Sequence, residues 1–367
     1  MFPFDSFPFN LLYIRILIFF QMKYSRLLYI FILIICSSVA YAMPPQLTPR
    51  LFANPPHRVI RTCCAFGSDL QLWIIPIWKY TAITSVEELG PHGYLGNSGE
   101  GNGIIYTMRG GFVDMGHLRD QADWTAFLYS RIEDAKGKGN FKIHLGKEGG
   151  AKDLNLNIPK DITIDDAVKL AGRIAYDLSV WHEIASWYGC SVIPFVPERY
   201  SSFSIEDPYS NLLGATLGME AIKSNLPYEE AMTQLIKNTM ETIGAVASQK
   251  ETYMAMEAVR DIWWTRRVHL PNRKIMLVRQ MGVYSCQQPW LIPGWSTNNL
   301  PSFDLNVPDK TDDGNSLNKF YELDFKLNFK FPVKEIFGKS KNRRATQLDF
   351  DQFITNINKE MELDKIN

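Results

Sequence analysis

Ala171, Ala175, Leu178, His182 and Ala185 recur at alternating spacings of four and three, which lays them along one face of an α-helix. The alanines let a second helix come close, so the stripe constrains the chain to a fold in which helix packs on helix. Start and stop signals place this helix at about Thr163–Tyr188. Thr163 followed by Asp166 resembles a capping box with Asp in the Glu place, and Gly189 closes the helix. His182 stands out. A buried imidazole among alanines needs a hydrogen-bond or metal partner, because an unpaired buried polar group costs ~1–3 kcal/mol. Glu183 follows it directly.

A second helix is predicted over about Phe112–Ala135, within GFVDMGHLRDQADW at 111–124. At about 100° per residue, Asp114, His117 and Gln121 fall within a 60° arc, with Asp120 a further 60° beyond His117. Asp114 could orient His117, or both could ligate one metal. Asp123 is predicted to point away into solvent. The plainer alternative is a helix start with acids near its positive end and a histidine packed underneath.

His182-Glu183 invites comparison with the HExxH zinc motif, but the position four after His182 is Ser186, so one helix does not supply the site. A composite site remains: His182 and Glu183 from one helix, His117 and Asp114 from the other. These types suit a divalent metal such as zinc. In SSFSIEDPYSN (201–211), Asp207-Pro208 reads as a helix start with Asp as N-cap. Ser210 and Asn211 sit near that helix N-terminus, and Glu206 and Asp207 are peripheral candidates. Cys63 or Cys64 could be a thiol nucleophile with His117 as base, although nothing local activates either. His92 lies in a glycine-rich loop (90–103) and could join a site; His57, His144 and His269 read as surface or packing residues. Phosphate-binding loops, GxSxG elbows and CxxC pairs are missing from the sequence.

Further helices are expected at about 207–223, 227–245 and 251–264, with short strands near 103–108 and 274–281 and a hairpin around 141–145. After about 302 come a polar linker, an alternating strand (LDFKLNFKF, 323–331), a basic run at 339–344 and an amphipathic helix at 348–363. The expected fold is α+β and mainly helical: one large domain over 43–300, with a small C-terminal β/α tail over 301–367.

Met22–Ala42 has a basic start (Lys23, Arg26), an apolar run from Leu27 to Ile35 and a small-residue end, Ala40-Tyr41-Ala42. That is a cleavable signal peptide, too short in its apolar part to span a bilayer, which takes ~20 residues. Translation is expected to start at Met22, so residues 1–42 are set aside from fold reasoning. Lipidation at Cys36 is disfavoured by bulky Ile35. Residues 1–42 hold Arg15, Lys23, Arg26 and Asp5, which leaves 36 basic and 38 acidic side chains in 43–367. Such balance makes no case for nucleic acid or an anionic membrane surface. Export would permit disulfides among Cys63, Cys64, Cys190 and Cys286, with the pairing open.

RTCCAFG at 61–67, LGPHGY at 89–94, GIIYTMRGGFVDMGHLRDQADWT at 103–125, LSVWHEIASWYG at 178–189, FSIEDPYSNLLG at 203–214 and PWLIPG at 289–294 together resemble the domain of unknown function 4056 family. The resemblance implies exported proteins of Gram-negative bacteria, periplasmic or secreted, and supplies no catalytic residues. The leading expectation is a hydrolase acting on a small-molecule or cell-envelope substrate. Its site would lie between the 112–135 and 163–188 helices, roofed by the 203–211 turn. One alternative is an envelope glycan- or lipid-binding protein using Trp181, Trp187, Trp263, Trp264, Trp290 and Trp295. The other is a thiol-dependent hydrolase or acyltransferase using Cys63 or Cys64 with His117.

Overall fold

In a computed structural model the described residues are 54–57, 59–61, 65–73, 79–191, 198–295, 301–338 and 342–366. The expected signal segment, Cys63 and Cys64 lie outside them. Strands β1 (Ile104–Thr107) and β2 (Gly111–Asp114) form an antiparallel hairpin with Ile104 opposite Asp114. Helix α1 (Met115–Ala135) leaves β2 without a loop, and Asp114 is its N-cap. The expected start of this helix at Phe112 is therefore corrected: Gly111–Asp114 pairs as a strand, because Phe112 and Val113 bury on the hairpin instead of on a helix face.

Strands β3 (Asn140–Lys147) and β4 (Ala151–Asn157) form the expected hairpin, longer than its sequence signal. Helix α2 (Ile164–Trp187) is capped by Thr163, whose side chain accepts from the Asp166 amide. Helix α3 (Asp207–Lys223) follows, then α4 (Tyr228–Thr242) and α5 (Gln249–Ala258), the last opened by a Ser248–Glu251 capping box. Three sequence readings change here. Glu206, not Asp207, occupies the N-cap of α3. Helix α5 stops at Ala258 and not at Trp264; Asp261 adopts φ +63° and Trp264 turns back to bond Met256 O through Nε1. The 274–281 stretch holds a 3₁₀ turn (Arg273–Ile275) and a single bridge, Trp264 to Met276, in place of a strand.

Helices α1, α2 and α3 pack mutually as the core. The α2 stripe is buried as its spacing predicts: Ala171, Ala175 and Ala185 have no exposed surface. Among the described helices a closer approach lies between α1 and α3. A Cβ on Gly214 would stand 2.0 Å from Leu118 O, and one on Gly218 would stand 3.0 Å from the Ala122 backbone. Only glycine fits so close a crossing.

The C-terminal segment supplies β5 (Tyr321–Lys326), α6 (Val333–Phe337), β6 (Arg344–Ala345) and α7 (Phe350–Ile366). Strands β3-β4-β5-β6 form one antiparallel sheet, with Leu154 opposite Ile143 on one side and Leu323 on the other. Phe325, Phe331 and Phe350 stack on the Trp181 ring of α2, with centroids 3.9, 5.5 and 6.1 Å away. The C-terminal elements thus clamp the residue next to His182. The result is a mainly helical α+β fold with two small sheets, in agreement with the sequence reading.

Candidate functional site

The site begins where β2 becomes α1. Asp114 Oδ1 accepts from the Gly116 and His117 amides at 2.7 and 3.1 Å, as an N-cap does. Its other oxygen then stands 3.4 Å from His117 Nδ1. The two side chains meet as expected, but through a cap folding back over the first turn and not through a shared helix face. Asp207 Oδ1 approaches the same nitrogen at 3.7 Å. Ser210 Oγ accepts from the Asp114 amide (2.9 Å) and donates to Glu206 O (2.7 Å), which ties the α3 start to the α1 start.

The other half comes from the end of α2. His182 Nδ1 lies 2.8 Å from Glu148 Oε1, and Lys152 Nζ donates to Glu148 Oε2 at 2.7 Å. Trp181 Nε1 donates to Glu148 O at 3.1 Å, so the clamped tryptophan and the histidine grip the same residue. Glu183 is buried, and its Oε2 accepts from the Phe203 amide at 2.6 Å. Phe203 takes the left-handed φ of +56°. That conformation is uncommon for an aromatic residue, and the Phe203 amide it presents is the one that holds Glu183.

His117, His182 and Glu183 each offer one ligand atom, and these atoms lie within 4.8 Å of one another. His117 and His182 line a small pocket together with Gln121, Trp124, Ser179 and Asn211; its cavity volume is about 20 Å³, room for about one water. Asp114 stands behind His117 as its cap partner. Glu206 and Asp207, peripheral in the sequence reading, are both buried against this centre.

The electrostatics follow from burial. Burial works to raise Asp114, but the His117 charge and the hydrogen bonds from His117 and Gly116 together hold it below the usual carboxylate range. Glu206 is pushed up to about 8 by burial, with the Asp114 charge adding to it. Asp207 is driven well above its ordinary value by burial; the His117 charge pulls it down, and the charges of Glu206, Glu183 and Asp114 push it up. Five buried acids (Asp114, Glu148, Glu183, Glu206 and Asp207) surround the two histidines, and so many carboxyl groups together need protons or a cation to balance their charge.

A second polar cluster closes one wall. Arg61 pairs with Glu100 (2.6 Å), Asp120 (2.9 Å) and Asp123 (2.9 Å), all with nearly buried side chains. Asp123 also receives the Leu95 amide, the Tyr228 hydroxyl and His92 Nε2, each at 3.0 Å. Asp123 is thus completely buried, against the expectation of a solvated side chain, because the glycine-rich loop folds over that side of α1. His92 serves this cluster and does not join the His117 centre. His144 is exposed and pairs with Asp153 at 2.8 Å.

Glu148 and Lys152 escaped the sequence reading. They sit in a Gly- and Lys-rich hairpin, and only its register brings them to His182; no local pattern marks them. Trp181 and Trp264 are fully buried and Trp263 nearly so, so these three pack the core; Trp187, also nearly buried, lines a cleft with Arg273, Met276, Arg279 and Met361, and no other aromatic ring is among the described residues that line it. No disulfide joins the described cysteines: Cys190 is buried and Cys286 exposed.

The sequence model of a family described as a protein of unknown function (DUF4056) matches residues 52–293. The chain belongs to that family. The matched stretch carries every site residue named above, whereas β5, β6 and α7 lie beyond it. Neither a curated protein nor a solved structure matches the chain. Among the described residues, no helix is long and apolar enough to cross a membrane.

Proposed function

We propose that this member of the DUF4056 family is an exported, metal-dependent hydrolase, periplasmic or secreted, whose centre is His117, His182 and Glu183. The convergence of these three ligand atoms within 4.8 Å carries the reading. The surroundings support it. Each imidazole presents Nδ1 to a carboxylate, Asp114 for His117 and Glu148 for His182. That arrangement orients metal-binding histidines and raises their basicity; a metal held here would be taken by Nε2 of each ring. Phe203 holds Glu183 Oε2, so the other carboxylate oxygen would be the one offered to an ion. Two histidines and a glutamate with an open pocket beside them is the ligand count of catalytic zinc, not of closed structural zinc. A divalent ion there would supply a water acidified to near-neutral pKa and would polarise a substrate carbonyl.

The chain's own residues have derived tasks. Asp114 and Glu148 position the two rings. Trp124, nearly buried and lining the pocket, limits access of bulk water. Export rests on the Met22–Ala42 segment, and the substrate would be a small molecule or a cell-envelope component.

Metal content of the protein purified from cells tests the reading. One equivalent of divalent ion is expected in the wild type, with loss in both His117→Ala and His182→Ala. A wild type that neither retains nor takes up zinc, cobalt or manganese removes it.

A further inference from the structure

The charged groups of the pocket are spoken for. Arg61 is paired with Asp120, and Lys152 with Glu148. Two neutral side chains are not. Gln121 and Asn211, at 8% and 1% exposure, both line the pocket. Gln121 Oε1 and Asn211 Oδ1 find no hydrogen-bond partner among the described residues. Gln121 lies one turn beyond His117 on α1, and Asn211 one turn beyond Asp207 on α3, so the two carboxamides flank the His117 side of the centre from different helices. Buried amide oxygens left unpaired are costly, and two of them beside one pocket point to a ligand that brings hydrogen-bond donors. A carboxamide also carries its own N–H donors, so its natural complement is another amide, which offers N–H and C=O together.

We propose that Gln121 and Asn211 determine specificity by accepting the N–H of a substrate amide whose carbonyl faces His117, His182 and Glu183. The substrate class is then a peptide or other N-acyl amide, not an ester or a phosphate. The flat face of Trp124 would pack against its apolar part. This inference rests on the metal reading above and names the substrate of that site.

Zinc-loaded protein and two chelating probes provide the test. Acetohydroxamic acid grips zinc through two oxygens and carries an N–H beside them; N-methylacetohydroxamic acid has the same oxygens and no N–H. Calorimetric titration should find the first about tenfold tighter in the wild type, the worth of one neutral hydrogen bond. The ratio should fall towards one in Gln121→Leu and Asn211→Leu, with zinc affinity unchanged. A wild-type ratio near one, or a preference that persists in both variants and so reflects only the bulk of the methyl group, overturns the amide assignment and leaves the metal reading standing. Failure of zinc itself to bind overturns both. The wild-type ratio needs no variant, so it decides the matter even if a leucine variant does not fold.

Discussion

Glu148 shows how much a single residue can organise. Its carboxylate takes His182 at one oxygen and Lys152 at the other, and its carbonyl takes Trp181. Glu148→Gln preserves the shape but removes the charge that orients the ring. Zinc affinity should fall by about 10–100-fold with little loss of helical content by circular dichroism; unchanged affinity would separate Glu148 from the centre. Legibility at this scale divides by sequence distance. The encounter of His117 with Asp114 was readable because the two are three apart, although the mechanism is a cap and not a helix face. His182 was readable as a polar break in an apolar stripe. Glu148, Lys152 and the buried role of Asp123 were not, because their partners arrive through hairpin register and loop packing, which no local spacing encodes.

Elements were legible where periodicity runs long and misread where an apolar stretch is short. Helix α2 announces itself; the alternation at 323–331 marks β5, although the strand ends at Lys326 and the rest of the alternating stretch turns away. By contrast, Phe112–Asp114 reads as the start of α1 because three residues cannot show a period, and only pairing with Ile104–Tyr106 makes them part of a strand. The crossing of α1 and α3 was hidden too, since it depends on glycines inside α3. Gly214→Ala would press a methyl group onto Leu118 O. Urea unfolding should show a loss of about 1–3 kcal/mol or more, the usual cost of overpacking. Glu230→Ala on the exposed face of α4 should change stability by no more than about 0.5 kcal/mol. Equal effects would contradict the tight crossing.

Across the whole molecule, the Arg61 cluster ties the N-terminal strand of chain, the glycine-rich loop and α1 together, and it carries a pH signature. Burial works to raise Glu100, but the hydrogen bond and charge of Arg61 and the Gly93 amide hold it down at about 2. A depressed acid contributes stability in full above its unfolded value of ~4.3 and loses it as pH falls from there towards about 2. Asp120, raised to about 6 by burial against the pull of Arg61, has the opposite sign: its contribution is full below ~3.9 and is lost as pH rises through about 6. The melting temperature of the wild type should therefore drop between pH 4.5 and 2.5 more steeply than that of Glu100→Gln, and parallel curves would refute the assignment.

At the same scale, α2 joins two supports. The Arg61 cluster braces α1 on one side of the pocket, and the C-terminal phenylalanines brace Trp181 on the other, so that helices far apart in sequence present His117, His182 and Glu183 to one point. X-ray absorption at the zinc edge of the loaded protein reads that point directly. Two imidazole nitrogens with oxygen ligands at about 2.0–2.2 Å, and loss of the imidazole signal in a His117→Ala/His182→Ala protein, are the predicted result. A first shell containing sulfur, or an imidazole signal that survives both substitutions, would contradict it.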